Sequence, residues 1–250
     1  MRFHRIASIL LLLSCYGWAG TIPVANPSFE SPNVSGMTCG LTGLPGCDYP
    51  HGSLGGWTFF GSSGIAANGS PFGVDTPGDG NAAPDGTQVA FLQYDPSNPL
   101  SSPGNISQSI GGLNAAQSYV LSFEAAQRPE SLGPTGAFLF GGGLDFYVYW
   151  CPGGSSCSPI DFIEFDNQLP SYLSFAEYST APFTAGATSG LLEFQAYDPL
   201  SGDRSDFIDS VQLNDDIVPE PSNGLMVLSG IGLIGLGLRW RLVHSRSLPS

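Results

Sequence analysis

An all-β fold of the sandwich or barrel kind is what this chain predicts, on three observations. No stretch between Thr21 and Ile217 repeats apolar residues at helical spacing over a dozen positions. Short runs of alternating apolar and polar residues recur instead, and Gly, Pro, Asn and Asp punctuate them, which is the pattern of many short strands joined by turns. A strongly acidic chain without lysine can be disordered, but the aromatic residues and the alternation supply the apolar surface a core needs.

Strands are expected, in order, over residues 24–30, 57–60, 87–93, 106–110 and 118–125, and then over 144–150, 160–165, 173–183, 191–197 and 206–213. Side chains alternate between the faces of a strand, so parity assigns them. Tyr119, Leu121 and Phe123 share a buried face, opposite Val120, Ser122 and Glu124. Leu192, Phe194 and Ala196 point inward, Glu193 and Gln195 outward. Around Phe146 both parities are apolar: Phe146, Val148 and Trp150 on one side, Tyr147 and Tyr149 on the other. Core covers one row, and the other faces a partner, a loop or solvent. Residues 68–85 and 95–104 are dense in Pro, Gly, Asn and Asp and read as long surface loops.

The two ends differ in kind from the middle. Arg2 and Arg5 precede an apolar run over 6–13, and Gly17-Trp18-Ala19 offers small residues at a cleavage site, so residues 1–19 read as a secretory signal peptide. Leu12-Leu13-Ser14-Cys15 partly matches a lipidation site, an alternative for Cys15. At the other end, residues 218–250 open with Pro219-Glu220-Pro221, continue as an apolar helix over 225–238, and close with Arg239, Arg241 and Arg246. The 18 residues between Glu220 and Arg239 carry no charge, close to the roughly 20 that span a bilayer, and the arginines would stay on the cytoplasmic side. A permanent anchor is one reading. The order Pro-Glu-Pro, apolar helix, basic cluster resembles the PEP-CTERM sorting signal of bacterial surface proteins, which implies recognition and removal by an exosortase in the membrane.

What remains, residues 20–217, is expected to be one β-sandwich ectodomain. Between residues 20 and 218 there are two basic residues, Arg128 and Arg204, against twenty acidic ones, a net charge of −18. Such a surface repels nucleic acid and attracts divalent cations. The four ectodomain cysteines fall in two close pairs, Cys39 with Cys47 and Cys151 with Cys157. Export makes two local disulfides the first reading. A four-thiolate zinc site is the alternative, against which the spacing lacks the usual knuckles. Three connectivities are open.

In the last strand, alternation puts Asp209 on the side of Phe207, Val211 and Leu213, toward the core. A buried carboxylate must be protonated, hydrogen-bonded or bound to a cation, and Arg204 is the one nearby base. If the first and last strands are neighbours, Glu30 meets Asp209. The opening Asn26-Pro27-Ser28-Phe29-Glu30, then Gly56-Trp57-Thr58, the run 85–92, the strands around Ile106 and Tyr119, and the closing Phe207-Ile208-Asp209-Ser210-Val211 resemble bacterial galactose-binding-domain-like jelly rolls. The resemblance implies a jelly-roll-type β-sandwich with Trp57 in its core. It also implies a structural calcium held by Glu30 and Asp209, with loop carbonyls near Trp57. Calcium is a hard cation that takes six to eight oxygens.

Enzymatic signatures are missing from the sequence. There is no G-x-S-x-G and no H-E-x-x-H, and His51, beside Tyr49 and Pro50, is the ectodomain's one histidine. Twenty acids identify no catalytic pair. Asp75 and Asp79 fail the EF-hand pattern at Pro77 and Gly86, and Asp198, Asp203 and Asp206 read as solvated loop residues. Sugars stack on aromatic faces beside amides and carboxylates, which makes Tyr147, Tyr149, Tyr172 and Tyr178 candidate ligand-binding residues, with ordinary packing as the competing role. The expectation is an exported, non-catalytic surface or matrix protein that interacts with polysaccharide. A purely structural surface protein is the alternative, and a secreted hydrolase the third.

Overall fold

The computed structural model describes residues 20–39, 44–70, 82–94, 102–128, 144–165, 174–197 and 204–216, with the side chains of Cys39 and Leu44 excepted. The alternating runs become sixteen strands: β1 (Thr21–Ile22), β2 (Thr38–Cys39), β3 (Leu44–Pro45), β4 (Cys47–Asp48), β5 (Gly52–Leu54), β6 (Trp57–Phe60), β7 (Ser63–Ala67), β8 (Gln88–Tyr94), β9 (Asn105–Gly111), β10 (Ser118–Gln127), β11 (Asp145–Pro152), β12 (Ser158–Ile163), β13 (Ala176–Ser179), β14 (Phe183–Thr184), β15 (Ser189–Tyr197) and β16 (Arg204–Asp215). They form an antiparallel β-sandwich. One sheet runs β13-β10-β16-β8-β7-β4, with β1 on β16 and β14 on β10; the other runs β12-β11-β15-β9-β6-β5; β2 and β3 pair alone. Among the described residues there is no helix, and therefore none long and apolar enough to cross a membrane. The signal segment 1–19, the tail 218–250 and its helix 225–238 lie outside the described residues. Gly20–Asp216 form one unit.

The core lies between the two large sheets and is aromatic. Phe194 of β15 meets Phe123 edge-on at 5.2 Å and lies 6.2 Å from both Trp57 and Phe146. Each such pair adds about 0.5–1.5 kcal/mol beyond area burial. Trp57 is fully buried and its Nε1–H donates to the Asn26 carbonyl at 3.0 Å. Gly190 is required beside the Trp150 ring, because a Cβ there would run into the indole. Parity holds where expected: Tyr119, Leu121, Phe123, Leu192, Phe194 and Ala196 all belong to this core.

Three differences from the expected elements have physical causes. Residues 24–30 are not a strand. The segment crosses the left-handed region at Asn26 (φ 47°) and Phe29 (φ 57°) and is held by side-chain amides in place of a ladder. Gln108 Oε1 accepts from Ala25 N–H and its Nε2 donates to the Ala25 carbonyl; Gln88, fully buried, accepts from Val34 N–H and donates to the carbonyls of Phe29 and Pro32. β7 goes unseen in the sequence because it is buried on both faces: Ile65 and Ala67 join the main core, Ala66 a second cluster with Cys47, Val89, Phe91 and Phe207. Residues 173–183, read as one strand, contain two short ones, β13 and β14.

A fourth difference concerns Asp209. The register of β10 on β16 shifts between Ser122 and Glu124, so that Ser210 (φ 53°) and Val211 stand opposite Phe123 as a bulge. One extra residue inverts parity on its N-terminal side. Ile208, Val211 and Leu213 therefore face the main core, while Phe207 packs into the second cluster on the sheet's other face. Asp209 goes with Phe207 as expected, but away from Val211 and Leu213.

Candidate functional site

The outward face of the six-stranded sheet carries the second aromatic row. Backbone register places Phe162 of β12, Tyr147 of β11, Gln195 of β15, Asn105 of β9 and Phe60 of β6 in one line across five strands. At 4.7–4.9 Å between strands the line is about 19 Å long. The Tyr147 ring lies 4.5 Å from Phe162, 5.7 Å from Tyr149 and 5.4 Å from Tyr197, with Phe162 and Tyr197 6.0 Å apart. Tyr147 and Tyr149 are half-buried by these neighbours, while Phe162 (38%) and Tyr197 (43%) remain exposed. Four linked rings on an open sheet face form a stacking surface.

Polar groups line the rest of that face. Glu193 is opposite Tyr149 on one side and Ser107 on the other, and its Oε1 accepts from Asn105 Nδ2 at 2.6 Å. Burial, then Tyr147, then the Glu193 charge raise the Tyr149 phenol above its ordinary value, so it stays a neutral donor at physiological pH. Asp145 shares the face but is 7% exposed and accepts Phe165 N–H at 3.1 Å. Cys151 follows Tyr149 and forms a disulfide with Cys157. Cys47 is also in a disulfide, whose partner lies outside the described side chains. Among the described residues, Cys151, Cys157 and Glu193 are the one trio with metal-ligating atoms all within 4.8 Å, and the disulfide removes both thiolates from it.

A second chemical centre surrounds Asp209, which is fully buried. Its Oδ2 accepts Asp85 N–H at 3.0 Å and its Oδ1 accepts Ser210 N–H at 2.7 Å. Burial drives its pKa up from 3.8 to about 8; the two amides oppose the shift, and the charges of Asp85 and Glu124 add to it. Glu124 is its cross-strand neighbour. Burial first, then Glu177 and Asp85, raise the Glu124 pKa as well, and Glu124 Oε2 is buried without a hydrogen-bond partner. Asp85 Oδ2 accepts from Ser28 Oγ at 2.6 Å. Oxygen donors, shared negative charge and an orphaned buried oxygen suit a hard cation. Asp85, Glu124 and Asp209 do not close into a three-carboxylate cage, so such an ion would draw on backbone carbonyls too.

β1 lies beside β16, but the expected first strand 24–30 does not form, and Glu30 and Asp209 bond to different residues of the 85–88 stretch. Glu30 takes Thr87 N–H, Gln88 N–H and the Thr87 hydroxyl, and packs against Gly86, whose φ of 83° and lack of a Cβ both are needed there. The carboxylates in the field of Asp209 are Asp85 and Glu124. Arg204 pairs in register with Tyr94, five positions from Asp209 and so roughly 16 Å along the strand. Tyr178 is not with Tyr147 and Tyr149: it stacks on Phe123 at 5.9 Å beside the core. Tyr172, Asp75, Asp79, Asp198, Asp203 and the sorting residues Pro219, Glu220, Pro221, Arg239 and Arg241 lie outside the described residues. His51 is exposed, as expected of a loop histidine. Asp206, read as a solvated loop residue, is instead fully buried in β16. Sequence reasoning did not single out Phe162, Tyr197, Asn105, Asp85 or Glu124 as site residues. Continuing the parity of Glu193 and Gln195 to Tyr197 would have found one of them.

No family model and no curated protein matches the sequence. Solved structures match its fold. The apo form of a cyclase from Fischerella sp. is 18% identical, with 79% of this chain and 97% of that one covered and a TM-score of 0.52. A cyclase from Fischerella sp. TAU in complex with 4-(1H-indol-3-yl)butan-2-one gives 18%, 79%, 98% and 0.52. TmCBM61 in complex with beta-1,4-galactotriose gives 14%, 77%, 97% and 0.45. At 18% identity the likeness to the two cyclases is one of fold alone.

Proposed function

We propose that this chain is an exported, non-catalytic polysaccharide-binding protein of the jelly-roll type, and that its ligand lies on the outward face of the six-stranded sheet. The observation that carries the reading is the cluster of Tyr147, Tyr149, Phe162 and Tyr197, four touching rings of which two stay exposed on a sheet face. Sugar rings stack on such surfaces while neighbouring amides and carboxylates fix their hydroxyls, and Asn105, Gln195 and Glu193 adjoin the rings. The 19 Å row suits an extended chain better than a single sugar. In the same reading a structural calcium is held at Asp209 with Glu124 and nearby carbonyls, and Glu30 anchors the loop beside it. The signal segment and the PEP-CTERM-like tail would bring the protein to the cell surface, with an exosortase as processing partner.

The test is a glycan array probed with the full chain and with Tyr147→Ala and Tyr149→Ala. Specific retention that both variants lose supports the reading. Retention unchanged in both variants, or no retention by any glycan, overturns it; calcium-dependent self-association in the second case would favour a structural surface protein.

A further inference from the structure

The charges of this face narrow the ligand. None of the six strands β5, β6, β9, β11, β12 and β15 contains a lysine or arginine. The two arginines of the described residues, Arg128 and Arg204, adjoin or belong to the other sheet. A glycan bearing uronate, sulfate or pyruvate groups would meet no countercharge here, on a chain whose net charge is −14. Among the described residues, Glu193 is the carboxylate on this face placed to receive a ligand, since Asp145 is buried and engaged by Phe165 N–H, and Asp161 of β12 stands in register with the core-facing Val148. Asn105 holds Glu193 Oε1, which orients the side chain and leaves Oε2 to accept from outside. The Tyr149 ring stands directly across the strand pair from Glu193, and Tyr147 adjoins it at 5.7 Å.

A carboxylate fixed beside aromatic faces is the geometry that recognises an ammonium group, through a charge-assisted hydrogen bond and cation–π attraction together. Resting on the polysaccharide reading above, we infer that the ligand is an amine-bearing glycan, a polymer of de-N-acetylated amino sugar, whose ammonium group is bound by Glu193 beside the rings of Tyr149 and Tyr147. Neutral sugars stack on the same rings but leave Glu193 without its cation.

The test is calorimetric titration of the full chain with glucosamine hexamer, with N-acetylglucosamine hexamer and with a polygalacturonate oligomer, at pH 6 and physiological salt. The amine hexamer is expected to bind about tenfold tighter than its acetylated form, and the uronate not at all. Glu193→Gln, which keeps an acceptor for Asn105, should bring the two hexamers within about twofold of each other, while Asp215→Asn on the other sheet leaves the preference intact. Tyr149→Ala should weaken both hexamers. Equal or tighter binding of the acetylated hexamer overturns the amine inference and leaves the polysaccharide reading standing. A preference lost equally in Asp215→Asn overturns it too, since bulk negative charge would then be its source. Binding of none of these, or of any glycan on the array, removes both.

Discussion

Raising the pH from 5 to 7.5 in a chelator should destabilise this domain, and Asp209 should account for most of the change. Its carboxyl is driven up to about 8, by burial first and then by Asp85 and Glu124 against two opposing amides. Below about pH 4 the group is protonated in both states and contributes no pH dependence. Between there and pH 8 the unfolded chain ionises while the folded domain keeps its proton, so the folded state binds more protons and stability falls as pH rises. The slope is about 1.4 kcal/mol per pH unit, or roughly 3 kcal/mol over 2.5 units. Glu124, raised by the same surroundings, acts in the same direction. For a domain of this size the loss is roughly 6–12 °C in melting temperature. Thermal unfolding followed by circular dichroism between pH 5 and 8 reads it, with Asp209→Asn as the non-titrating comparison. Calcium bound in the proton's place should raise the midpoint more at pH 7.5 than at pH 5. Identical pH slopes for wild type and Asp209→Asn in chelator would refute the buried-acid account.

Two further substitutions probe the scaffold. Gly190→Ala pushes a methyl into the Trp150 indole and should cost about 1–3 kcal/mol, measured by denaturant unfolding; a neutral effect would mean that Trp150 has room to move. Gln88→Leu leaves the buried Val34 N–H and two carbonyls without their partner and should cost about 1–3 kcal/mol or more, with an unchanged midpoint contradicting the clamp assigned to this amide.

Strands whose two faces differ in polarity were legible in the sequence, because alternation is a local signal. β10 and β15 show this: their inward Phe123 and Phe194 and outward Glu193 follow from parity alone, whereas in β11 parity separates Phe146 from Tyr147 and Tyr149 without saying which row faces the core. β7 was not, since a strand buried on both faces by small residues has no alternation to read. Asp209 shows the limit from another side. The residue type and its burial were expected, but the bulge at Ser210 that turns it away from the main core is a two-strand property, invisible in one strand's sequence. The partners of Asp209 were hidden for a similar reason. Asp85 and Glu124 stand 124 and 85 positions before it, and only sheet pairing and the loop entering β8 bring them together. The aromatic cluster was half visible: the tyrosines on β11 were, and Phe162 and Tyr197 became neighbours only through the order of strands in the sheet.

The segment of residues 24–34 takes its bonds from Gln108 and Trp57 of one sheet and from Gln88 of the other, and the Pro27 carbonyl accepts Val211 N–H from the last strand. This segment is thus fastened by residues that lie later in the sequence. Until β16 arrives this stretch has no finished seat, so the domain cannot latch from its N-terminus as it emerges. Closure waits for β16, and the Val211 amide, bonded to the Pro27 carbonyl, should gain protection from exchange with solvent in that step together with the other amides of β16.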